Sequence, residues 1–428
     1  MRKLKWALVT LIFLLVIQPG TLFSALHVNA SSSSDDWSMF HHDPAHTGYT
    51  NSIAPTTTPV VLWSFQTSSG IGGSPAVVDG YVYVTSGSYL YCLDALTGTQ
   101  IWATSGTSSP AVYNGLVYTG LHGGTAYNAS TGEVVWSDQT DPNAYSPVVA
   151  NGVVYIDNGV LLCAYNASTG ERIWGRGDED ASSSPAVANG CVYIGGYSAF
   201  AINASTGGKI WQYIPENQRT QSYRLGSPAV YDGHVYITLP DNFYNLYCFD
   251  AQTGTIMWNY SSHGLCSSPA VADGRVFVGA LDSNIYALNA STGAKIWNFT
   301  TGYVVDSSSA VAGGVVYVGS GDGNLYAFNA SSGVKLWNFT LQPFLDERGF
   351  DRYMFASPAI ANGVIYMGSS DGVLYALGTI SNTTTSPKPS PTIPEFPNQI
   401  IETTLFAALL LATSVAVIVK RAKTKKVQ

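Results

Sequence analysis

The chain has 428 residues, of which only 11% are charged, with 43 glycines, 27 tyrosines and 10 tryptophans. That length exceeds one ordinary compact core unless the core is built from repeats, and a charge-poor composition rich in turn formers argues against a helical bundle. The net charge is −8; without the basic ends, 11 positive side chains stand against 26 negative ones, which speaks against nucleic acid as a partner.

At the N-terminus, Arg2, Lys3 and Lys5 precede an apolar run from Ala7 to Ile17, and Val28-Asn29-Ala30 offers small residues for cleavage. Residues 1–30 therefore read as a secretory signal peptide, with an uncleaved anchor as the alternative. Residues 31–54 form a lead-in, Trp37 to Gly48, with His41, His42 and His46. The three histidines raise a zinc reading; no fourth ligand is evident, and the competing reading is a segment that packs across the start of the repeats.

From residue 55 to residue 380 one unit recurs, seen most cleanly between Ser267 and Trp297. It reads as four short strands, a to d. Strand a opens at Pro75, Pro110, Pro147, Pro185, Pro228, Pro269 and Pro358, with Ser309 replacing proline in the seventh copy. A two-residue turn follows each time, from Asp79-Gly80 to Asn362-Gly363, and predicts eight a–b hairpins in phase. Proline cannot donate to a ladder, so its place predicts that strand a is an edge, here lining a central channel. A unit of about thirty residues buries no core alone and must stack on its copies.

Trp63, Trp102, Trp136, Trp174, Trp211, Trp258, Trp297 and Trp337 each fall in strand d, 34 to 47 residues apart. They read as blade-docking residues, since burying an indole removes roughly 150–250 Å² from water. The first precedes any complete copy, and the last copy ends at Leu377 without one. The expected fold is therefore all-β: an eight-bladed β-propeller of four-stranded blades, a ring closed within one chain by the N-terminal strand around Trp63. Cysteines 92, 163, 191, 248 and 266 form no metal-type pair; Cys92 and Cys248 stand where other copies carry alanine, which suggests small buried hydrophobes.

Residues 381–399 are rich in Ser, Thr and Pro and read as a stalk. Residues 400–419 are apolar and long enough for a transmembrane helix, about 30 Å. The basic tail 420–428 places that end in the cytoplasm and the propeller at the cell surface, anchored to the cytoplasmic membrane.

The unit Ser-Pro-Ala-Val, Asp/Asn-Gly-x-Val-Tyr, Leu-Tyr-Ala-x-Asn/Asp-Ala-x-Thr-Gly and Trp resembles the PQQ-like β-propeller repeat, and eight copies match that family's usual blade number. Pro394-Glu395-Phe396-Pro397 before the apolar run resembles the Pro-Glu-Phe sorting tail of archaeal surface proteins. The repeat family implies two function classes. One is a PQQ-dependent dehydrogenase, holding PQQ in the channel with calcium, a carboxylate base and often a disulfide between adjacent cysteines. No two cysteines are adjacent here, and the acids Asp178, Glu179 and Asp180 form a charge run that suits a solvated loop. The other is a non-catalytic binding or scaffolding module with no cofactor, whose partner is a cell-envelope protein or a glycan, as in a surface-layer or adhesion protein.

The sequons divide by position. Asn128, Asn166, Asn203, Asn289 and Asn329 sit at c–d turns, and Asn259, Asn298 and Asn338 directly follow the Trp of strand d. They read as N-glycosylation candidates, or as turn residues interchangeable with Asp. The long insertions fall on the opposite end and carry Arg219, Tyr223, Arg224, Asp346, Glu347, Arg348, Asp351 and Arg352, the candidate partner-binding residues.

Overall fold

The computed structural model describes residues 36–139, 144–158, 160–177, 182–216, 226–241, 244–262, 264–341 and 356–379. The signal peptide, stalk, apolar C-terminal segment and basic tail lie outside them, as do Arg219, Tyr223, Arg224, Asp346, Glu347, Arg348, Asp351 and Arg352. The chain divides into two units, Met1–Ile380 and Ser381–Gln428. Among the described residues no helix is long and apolar enough to cross a membrane.

Short two-residue strand β1 (Tyr49–Thr50) and strand β2 (Val60–Gln66) precede the first complete blade: β3 (Ala76–Val78), β4 (Tyr81–Ser86), β5 (Tyr89–Asp94) and β6 (Gln100–Ser105). These four form one antiparallel sheet in chain order, and six further blades repeat the pattern up to Thr340. The a–b turns explain the regularity. Both central residues carry positive φ, as at Asp79 (52°) and Gly80 (81°) or Asp273 (49°) and Gly274 (70°). That is the type I′ geometry whose twist matches the flanking strands.

The eighth blade is assembled from both ends of the array. Strand β2 pairs antiparallel with Val373–Gly378, which pairs with Val364–Gly368 and then Ala359–Ala361. The ring is thus closed by the strand that carries Trp63. A strand of the last blade is held by residues some 300 positions earlier, so no blade edge is left to open first.

In all eight c–d pairings the register slips by one residue just before the tryptophan. A bulge re-aims side chains. Here it turns each indole towards the next blade and leaves the preceding residue, such as Ile101, Ile210 or Ile296, exposed. Each indole Nε1–H donates to a carbonyl of the next blade's c–d turn: Trp63 to Ala95, Trp102 to Ala129, Trp136 to Ala167, Trp174 to Ala204, Trp211 to Ala251, Trp258 to Ala290 and Trp297 to Ala330. Trp337 donates instead to the Pro55 carbonyl, 3.1 Å away, because the eighth blade has no c–d turn of its own. A strand-b tyrosine shares most of these acceptors; Tyr236 Oη donates to Ala290 at 3.2 Å and Tyr317 Oη to Pro55 at 3.0 Å. The turn glycine must approach the ring closely: a Cβ on Gly293, at φ +69°, would stand 2.6 Å from the Trp258 indole. Glycine tolerates both demands.

Candidate functional site

Strand a is innermost, so the channel wall consists of its first residues and its free edge. Two rings of contacts line that wall. At the end where d–a loops arrive, the serine that precedes strand a donates its backbone N–H to the hydroxyl of the next blade's serine in seven of the eight blades. The links run Ser74 to Ser109 (2.9 Å), Ser109 to Ser146 (3.1 Å), Ser184 to Ser227 (3.1 Å), Ser227 to Ser268 (2.8 Å), Ser268 to Ser308 (3.2 Å), Ser308 to Ser357 (3.1 Å) and Ser357 back to Ser74 (3.0 Å). This collar ties neighbouring blades together at the channel, while the tryptophans tie them at the rim.

The lead-in makes the second ring. In strand a the central residue belongs to the pair that does not exchange ladder bonds, so its N–H and C=O face the channel. Trp37 exchanges both backbone bonds with Val77 (2.8 and 2.7 Å). The carbonyls of Ser38, Pro44, Ala45, Thr47 and Gly48 then accept the N–H groups of Val112, Val187, Val230, Val271 and Val311 at 2.6–2.8 Å. Strand β1 continues parallel to Ala310–Ala312, and Ser52 Oγ accepts the Gly363 N–H of the last blade. The lead-in occupies the inner edges of six blades, 1, 2 and 4 to 7, and passes over blade 3. Expected to pack over the start of the repeats, it is instead built into nearly all of them.

Two of its histidines are enclosed by the ring. His41 and His46 are fully buried, their rings 6.0 Å apart, and His41 Nδ1 meets the His46 carbonyl at 3.2 Å. Burial lowers His41 to about 4 and His46 to about 3, so both rings are neutral at pH 7. The Pro228 carbonyl faces the His46 ring, yet neither nitrogen of that ring nor Nε2 of His41 reaches a protein atom in hydrogen-bond geometry. Burial alone would raise Asp43, but hydrogen bonds from His42 and Thr47 outweigh it and hold the carboxyl below its usual range. His42 pairs with Asp43 and turns away from the other two rings. Among the described residues no three His, Cys, Asp or Glu side chains converge as metal ligands. All three histidines take positive φ.

A cavity opens at each end. The one at the loop end has about 540 Å³ and is lined by Gly72, Thr85, Thr107, Ser109, Tyr145 and Ser146 among others. The one at the turn end has about 630 Å³ and lies between the lead-in and blades 1 to 4. PQQ carries three carboxylates and is held with calcium, whereas the first cavity is walled by glycine, hydroxyls and one tyrosine ring. The residues that line this cavity therefore offer neither a cation for the quinone nor a carboxylate set for calcium.

The cysteines are all free thiols. Cys92 and Cys248 are wholly buried, and burial pushes each thiol up to about 12, which leaves them inert. At the c–d turns each sequon Asn uses Oδ1 to accept two backbone N–H groups, as Asn289 does from Ser291 (3.0 Å) and Thr292 (2.9 Å). Asp94 and Asp250 make the same bonds. Asn298 and Asn338 donate their amide nitrogens to Asn284 and Asn324 across the sheet.

A family model described as outer membrane protein assembly factor BamB matches residues 57–225 and 200–401. The chain belongs to this family. Among solved structures, BamB from Moraxella catarrhalis is 17% identical, with a TM-score of 0.60 over 75% of this chain and 99% of that one. The quinohemoprotein alcohol dehydrogenase of Comamonas testosteroni is 16% identical, with a TM-score of 0.65 over 83% and 82%. At those identities the likeness establishes the propeller. Curated relatives of this BamB-family chain include the tetrathionate hydrolase of Acidithiobacillus ferrooxidans, 29% identical over 48% of this chain and 41% of that protein. Another is the 1-butanol dehydrogenase (cytochrome c) of Thauera butanivorans, 30% identical over 31% and 24%. The chain spans less than half the length of either.

Proposed function

We propose that this chain is an exported, membrane-anchored propeller that acts as a non-catalytic binding or scaffolding module at the cell surface. Its partner is a cell-envelope protein or glycan, and the apolar segment 400–419 is its anchor. One observation carries the reading: the lead-in lays its own backbone along the inner edges of six blades and buries His41 and His46 as neutral rings there, so the interior is occupied by the chain itself. The family description, an assembly factor of the outer membrane, agrees with a partner in the envelope.

The rival reading is a PQQ-dependent dehydrogenase. The purified chain is to be incubated with PQQ and calcium and assayed for alcohol oxidation with an artificial electron acceptor, beside capture of envelope extract on the same protein. Saturable capture without quinone-dependent turnover is expected. Robust turnover would establish the dehydrogenase instead. Charge reversal at Arg219, Arg224, Arg348 and Arg352 is expected to weaken capture, and Asn→Gln changes at the c–d turns are not. The opposite result would move the binding surface to the turn end.

A further inference from the structure

The turn-end cavity marks the place where the lead-in's ladder is interrupted. Ser38 and Pro44 offer their carbonyls to blades 2 and 4. Between them, residues 39 to 43 fold back on themselves, with His42 N–H on the Met39 carbonyl and Asp43 N–H on that of His41, both at 3.0 Å. None of their carbonyls reaches blade 3. Strand a of that blade has the register of its neighbours, Val149 opposite Val154 as Val112 is opposite Val117. The Val149 N–H therefore faces the channel as the Val112 N–H does, and Val149, itself buried, is among the residues that line the cavity of about 630 Å³.

The cavity walls are unusual for the repeat. Tyr113 ends strand a of blade 2, as Tyr231 does in blade 5, where Val78, Ala150, Ala188, Ala272, Ala312 and Ala361 stand in the other copies. Tyr81 lies beside it, and both rings are half-buried. Tyr83 and Tyr155 also line the space, but their hydroxyls are engaged in blade docking, on the carbonyls of Ala129 and Ala204. The charged side chains of the lining are both acidic, Asp43 and Asp79. The site thus offers one main-chain donor on its floor, aromatic walls, and a rim that rejects anions.

We propose that this cavity receives an extended, neutral or basic peptide segment of a partner protein, whose carbonyl takes the Val149 N–H. The segment would complete at blade 3 the ladder that the lead-in forms on both flanking blades, in the manner of strand addition to a sheet edge. The continuity with those existing contacts argues for a peptide over other ligands. The proposal rests on the binding-module reading and gives that module a second site, at the end opposite the inserted loops.

A display library of linear twelve-residue peptides, panned on the full chain, supplies the probe. Recovered peptides are then titrated by fluorescence anisotropy against wild type, Val149→Pro and Tyr113→Ala. Val149→Pro removes only an N–H outside the sheet's own ladder, at an edge where proline is tolerated; affinity is expected to fall about fivefold or more. Tyr113→Ala installs the residue that five other blades carry and is expected to cost about tenfold. Should Val149→Pro lower the melting temperature, Tyr113→Ala decides alone. Peptides that bind all three proteins alike, or a library that yields no binder, would overturn the proposal. Capture by the wild type together with peptides that bind all three proteins alike refutes this site while the module reading stands; absence of capture by the wild type refutes that reading itself.

Discussion

Blades 5 and 6 form a matched pair in which a single hydroxyl is missing. Trp258 and Trp297 are equally buried, and their indoles donate to Ala290 at 2.9 Å and Ala330 at 3.0 Å. The Ala290 carbonyl also receives Tyr236, whereas blade 6 carries Phe277 at that position, so among the described residues Ala330 has the indole as its side-chain donor. Replacing either tryptophan by phenylalanine loses about 1–2 kcal/mol of buried area and packing and about 1 kcal/mol of hydrogen bond. Trp258→Phe leaves a carbonyl that still has the tyrosine. Trp297→Phe strands a carbonyl in a residue only 5% exposed, which adds about 1–3 kcal/mol. Urea unfolding should therefore rank Trp297→Phe below Trp258→Phe by on the order of 1–2 kcal/mol. Phe277→Tyr, alone a mild stabiliser, should restore most of that gap in the Trp297→Phe background. Equal losses for the two tryptophans, or no rescue by Phe277→Tyr, would refute the shared-acceptor reasoning.

Further predictions follow from closure, titration and the turns. Deleting Pro59 to Gln66 removes strand d of the last blade and the Trp63 dock on Ala95; thermal unfolding should become less cooperative and start lower, and an unchanged melt would contradict closure. His41 and His46 sit below their unfolded values, so the folded state binds fewer protons from about pH 6.5 downwards. Their contribution is complete above that pH and is lost as pH falls towards 4 and then 3, on the order of 3 kcal/mol per ring, with Asp43 adding to the loss at the acid end. Melting temperature against pH should fall less steeply for His46→Phe than for wild type. Asn289→Asp keeps the oxygen that accepts from Ser291 and Thr292 and should melt like wild type while abolishing any glycan there; Asn289→Ala should cost about 1 kcal/mol.

Blade count, strand order and closure were legible in the residues because each rests on a local chemical demand that repeats. A positive φ pair requires Asp/Asn-Gly, an indole beside a turn requires glycine, and a displaced Trp63 requires a partner strand at the far end. The serine collar has a signal in the sequence, a serine before the strand-a position in every copy, but its partner is the next copy's serine and that pairing exists only in the ring. Tyr113 was likewise visible as a departure from alanine. Its meaning depends on what lies opposite, which a repeat pattern does not contain.

The lead-in is where tertiary structure decided. Its contacts to six blades run through backbone carbonyls and the N–H groups of strand a, and main-chain groups are the same in every residue. No spacing of side chains announces them. The three histidines look like ligands in one dimension; in three, two are buried and the third turns to its neighbouring aspartate. Ring closure also brings together Ser74 and Ser357, or Pro55 and Trp337, residues about 280 positions apart. The sequence by itself determined the unit and the number of its copies. What fills the space those copies enclose was determined only when the ring had closed around it.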